Sequence, residues 1–165
     1  MTTLLVSLDR RPKFIWNGRI WAGFAIGSGI NLWVDHPGCL CFAPHLNQYP
    51  KTKQRMNEFV EMVNSLPPDA QVAIIVYDGF LAGMQDILLP AFQSIGSTRF
   101  QEAQHYQKYC MVGRKGGSAL ESFGDDPLNK GEVRVETNAT SIQTSKTSYY
   151  DDFDFSQLIK YNNNK

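Results

Sequence analysis

The sequence predicts an α+β domain, and three observations carry that prediction. The run Val72-Ala73-Ile74-Ile75-Val76-Tyr77 is continuous, apolar and rich in β-branched residues, as expected of a central strand covered on both faces. Just before it, Met56, Phe59, Val60, Val63 and Leu66 recur at helical spacing and give one stripe for burial. Near the start, Phe14-Ile15-Trp16-Asn17-Gly18-Arg19-Ile20-Trp21 sets Asn-Gly between two apolar runs, and Asn-Gly supplies the two positive φ angles that a type I′ hairpin turn demands.

Taken in order, Thr3 to Leu8 reads as a strand. In the hairpin that follows, a two-residue turn pairs Trp16 with Arg19, Ile15 with Ile20 and Phe14 with Trp21. Alternation then puts Phe14, Trp16, Arg19 and Trp21 on one face and both isoleucines on the other, without saying which face is buried. Turned outward, Trp16, Arg19 and Trp21 form a candidate surface for a sugar ring or a partner protein; turned inward, they are core. Gly29-Ile30-Asn31-Leu32-Trp33 is the next strand. The helix from Thr52 to Leu66 stops at Pro67-Pro68, and a second begins around Asp86, with Pro90 expected near its first turn and Gly96 as its stop. Tyr109-Cys110-Met111-Val112 is a strand closed by Gly113-Arg114-Lys115-Gly116-Gly117. Beyond it, Phe123 to Pro127 is loop, Gly131 to Thr137 alternates as a strand does, and Thr140 to Ser148 is rich in Ser and Thr. The expected division is an N-terminal strand and hairpin over 1–28, a globular domain over 29–137, and an extended C-terminal arm over 138–165.

At 165 residues the chain is long enough to bury a core. Its 16 basic residues balance 16 acidic ones, which argues against a nucleic-acid or anionic-membrane binder, since such binding rests on a basic excess. No apolar run approaches the roughly 20 residues of a membrane-spanning helix. Met1 to Arg10 lacks a basic leader before its short apolar run, so secretion is not expected of the chain as it stands.

Cys39, Cys41 and Cys110 are read as free thiols, because a pair separated by one residue is poorly placed to bridge itself. The alternative, zinc on Cys39, Cys41, His36 and His45, is set aside, and no metal or cofactor is expected. His36, His45 and His105 are dispersed and stand in no hydrolase or transferase motif, so no catalytic residue is assigned. Gly113 to Gly117 lacks the spacing of a phosphate-binding loop and is read as a strand stop. The polar end of the sheet nonetheless offers Asp78, Arg114 and Lys115 as candidate binding residues. In Tyr149-Tyr150-Asp151-Asp152-Phe153-Asp154-Phe155, aromatic rings alternate with carboxylates, and Tyr149, Tyr150, Phe153 and Phe155 are candidate anchors for docking on a partner.

The order of these signals, a glycine-led strand, a helix ending at Leu66-Pro67, an apolar strand ending at Asp78, the turn Ile95-Gly96-Ser97, and a strand closing in Gly113-Arg114-Lys115-Gly116, resembles the interleukin-like EMT inducer domain of the PANDER-like cytokines over roughly residues 29–135. The resemblance implies antiparallel β-sheets flanked by two or three short helices. This chain has Tyr106-Gln107 where the family usually has Phe-Arg, lacks a tryptophan between Ala43 and Pro50, and does not match the family's cysteine pattern. Domains similar to this family occur in phages as well as in animals. The first expectation is therefore a non-enzymatic virion component of a phage, capsid-decorating or tail-associated, made in the cytoplasm and partnered by other protein subunits in a homo- or hetero-oligomer. A carbohydrate-binding module is the alternative, since a related domain in a mammalian O-mannose glycosyltransferase looks like a sugar-recognition unit. A secreted, extracellular cytokine-like signal is the third. Neither nucleic acid nor membrane is an expected partner.

Overall fold

The computed structural model describes residues 2–8, 12–20, 29–35, 39–43, 52–77, 85–103, 107–126, 131–137 and 141–144. In chain order these form β1 (Thr2–Ser7), β2 (Lys13–Trp16), β3 (Arg19–Ile20), β4 (Gly29–Asp35), β5 (Cys39–Ala43), α1 (Thr52–Asn64), β6 (Gln71–Tyr77), α2 (Gln85–Ser94), β7 (Tyr109–Arg114), β8 (Ala119–Phe123), β9 (Glu132–Thr137) and β10 (Ser141–Thr144), with a 3₁₀ turn at Phe100–Glu102. The class is α+β, as the sequence predicts. No helix among the described residues is long and apolar enough to cross a membrane.

Two sheets share the strands. A four-stranded sheet has the order β3-β2-β1-β9 and a six-stranded sheet the order β10-β5-β4-β6-β7-β8. Every pairing is antiparallel except that of β10 with β5, which is parallel. The central position of β6 explains its continuous apolar run: Val72, Ile74 and Val76 enter the core beneath the helices, while Ala73 and Ile75 enter the core between the sheets. β7 divides in the same way, with Tyr109 and Met111 on the helix side and Cys110 and Val112 on the other. The molecule is therefore layered as small sheet, large sheet and helices.

On the helix side, α1 buries Met56, Phe59, Met62 and Val63, and α2 buries Leu88, Ala91 and Phe92. Phe92 stacks on Phe100 with ring centroids 3.7 Å apart, and both contact Tyr109. Between the sheets, Leu4, Val6 and Phe14 meet Trp33, Ile75 and Val112, with Phe14 stacked on Trp33 at 3.5 Å. Each such buried aromatic side chain contributes about 3 kcal/mol.

The hairpin has the expected register, Ile15 opposite Ile20 and Trp16 opposite Arg19. Asn17 and Gly18 hold φ of 53° and 77°, as a type I′ turn requires. Phe14 is buried and Ile15 half-buried, so at this strand the phenylalanine side turns inward. Pro90 departs from expectation. It is the sixth residue of α2 and stands in its second turn, on the exposed side, where the Asp86 carbonyl that it leaves without an N–H can turn to solvent.

Candidate functional site

The polar end of the sheet is a junction of three chain reversals. α1 ends at Asn64, and the turn that follows, through Leu66-Pro67, is closed by the Ala70 N–H on the Pro67 carbonyl at 3.2 Å, with Asp69 at φ 66°. α2 ends in a Schellman motif: the Ser97 N–H donates to Phe92 O at 3.0 Å, the Gly96 N–H donates to Gln93 O at 3.0 Å, and Gly96 takes φ 102°. The turn between β7 and β8 is tied to both. The Lys115 N–H donates to Ala70 O at 2.9 Å, the Lys115 carbonyl accepts from Asp69 N–H at 3.0 Å, and the Gly116 N–H donates to Ser94 O at 2.9 Å. The Lys115 ammonium donates to Val63 O at 2.7 Å, placing a cation at the C-terminus of α1, where the helix dipole favours it. Burial lowers the pKa of this ammonium. The Arg114 guanidinium donates to Asp69 O at 3.3 Å.

These contacts decide what Gly113 to Gly117 is for. An anion cradle needs convergent N–H groups pointing at a ligand. Here the N–H groups of Lys115, Gly116 and Gly117 donate to Ala70, Ser94 and Arg114 carbonyls. The Leu-Pro stop, the Ile-Gly-Ser turn and the Gly-x-Lys-Gly close, far apart in sequence, are parts of one structural knot.

Beside the knot lies a cluster that sequence reasoning missed. Glu121, on β8, is buried among donors: the hydroxyls of Ser97 and Tyr109, the Thr98 N–H at 2.9 Å, the Thr98 hydroxyl at 3.3 Å and the Arg99 N–H at 3.2 Å. A buried carboxylate surrounded in this way anchors the turn 97–99 to the sheet. Burial first, and then the Glu121 charge, push the Tyr109 phenol well above its ordinary pKa, so it stays a donor. Arg99 extends the cluster to the surface by an ion pair with Asp126 at 2.9 Å and by covering the Phe123 ring at 4.9 Å. The signal was available. Alternation along Ala119–Phe123 puts Glu121 on the face of Phe123, and a carboxylate there must find donors.

The other sequence candidates are placed as follows. Trp16 and Arg19 face each other across the hairpin, and their side chains lie outside the described residues, as do Trp21, Asp78, Tyr149, Tyr150, Phe153 and Phe155. His36, His45 and His105 also lie outside them, as do the side chains of Cys39 and Cys41. Cys110 is buried between the sheets, its thiol directed at Gly131 O at 3.6 Å and its pKa pushed up to about 12 by burial. Among the described residues no three His, Cys, Asp or Glu side chains are grouped to hold a metal ion. A shallow concavity of about 310 Å³ opens on the outer face of the small sheet, with Leu5 and Ile15 as its floor and Thr3, Asn17 and Arg134 at its rim.

The fold and this knot define a class: a layered α+β domain whose diagnostic turns are consumed in joining helix ends to the large sheet. The chain belongs to the Interleukin-like EMT inducer family, whose model matches residues 28–117, from the start of β4 to the knot. β8 and β9 lie beyond the matched stretch. No curated protein matches the chain.

Proposed function

We propose that this protein acts by binding rather than by chemistry, as a non-enzymatic subunit of a larger protein assembly. One observation carries the reading: the buried and half-buried reactive side chains at the knot, in the cluster beside it and between the sheets are engaged in holding the fold. Glu121 is occupied by the 97–99 turn and Tyr109, Lys115 caps α1, and Cys110 is buried as a thiol. Catalysis would need such groups facing a ligand. In this reading no cofactor, metal, nucleic acid or membrane takes part.

Within that class the specific proposal is a phage virion component, capsid-decorating or tail-associated, in which Tyr149, Tyr150, Phe153 and Phe155 dock on a neighbouring subunit. Alternating aromatic anchors and carboxylates suit an interface with a buried centre and a charged rim. Mass spectrometry of density-purified particles from the source of this chain should find its peptides at stoichiometric level. Their absence from particles, together with the protein free in the medium, would instead favour a secreted signal, a reading the family's interleukin-like description supports. Carbohydrate binding draws support from the concavity at Thr3, Leu5, Ile15, Asn17 and Arg134, whose apolar floor and polar rim suit a sugar ring. A glycan array on which the protein stays blank would remove it.

A further inference from the structure

We draw no further inference here: the strongest candidate, the shallow concavity on the outer face of the small sheet with Leu5 and Ile15 as its floor and Arg134 at its rim, belongs to the sugar reading already given, and with the Arg134 charge set between those of Glu132 and Glu136 on the same side of β9 nothing in the structure shows what covers it.

Discussion

Gly113 is glycine for space and Gly116 is glycine for backbone angle. A Cβ at Gly113 would lie 2.0 Å from the Ile95 carbonyl oxygen and 2.8 Å from the Met111 methyl, so β7 could not pass beneath the end of α2. A Cβ at Gly116 would meet nothing within 4 Å, yet its φ is 76°. Urea unfolding should therefore separate them, with Gly113→Ala costing about 3 kcal/mol and Gly116→Ala about 1 kcal/mol. Lys115→Met should cost about 1 kcal/mol through loss of the cation on the Val63 carbonyl, with no change in m-value. The sequence shows these glycines only as turn signals. That Gly113 faces a carbonyl from a residue far back in the chain is a fact of packing, and no local pattern encodes it.

At the scale of elements, what was legible is what local physics determines. Asn17-Gly18 sets the hairpin register without help from the rest of the chain, and the spacing of Met56, Phe59 and Val63 marks the buried side of α1. What was not legible depends on distant partners. β1 pairs with β9, Leu4 opposite Val135 and Val6 opposite Val133, and nothing in either strand announces the other. That pairing builds the small sheet that turns Phe14 inward onto Trp33. The hairpin is thus a contributor to the inter-sheet core. Phe14→Ala should lower stability by about 3 to 5 kcal/mol in thermal or urea unfolding, and Ile15→Ala, half-buried on the opposite side, by much less. The Glu121 cluster was legible only in part: alternation along β8 places Glu121 inward, but its donors come from a turn and a strand earlier in the chain.

For the whole molecule, two buried acids set a stability limit on the alkaline side. Cys110 ordinarily titrates near 9.0 and is pushed up to about 12 in the fold; Tyr109 is moved in the same direction from 10.0. Between those values the native state keeps protons that the unfolded chain has lost. Stability therefore holds below about pH 9 and falls as pH rises through the window up to 12. Urea midpoints measured at intervals above pH 8 should decline, and Cys110→Ala should remove part of the slope while lowering stability at every pH. Peptide-resolved thiol labelling should find Cys110 unreactive until the protein unfolds. The central claim remains that the family's turn motifs form a structural knot, leaving recognition to the outer surfaces. Residue-resolved amide hydrogen exchange tests it most directly. The N–H groups of Lys115, Gly116 and Gly117, donated to Ala70, Ser94 and Arg114 carbonyls, should be protected in plain buffer and unmoved by added phosphate. Fast exchange at these three amides, with shifts or protection appearing only when phosphate is added, would contradict it and make the loop an anion site.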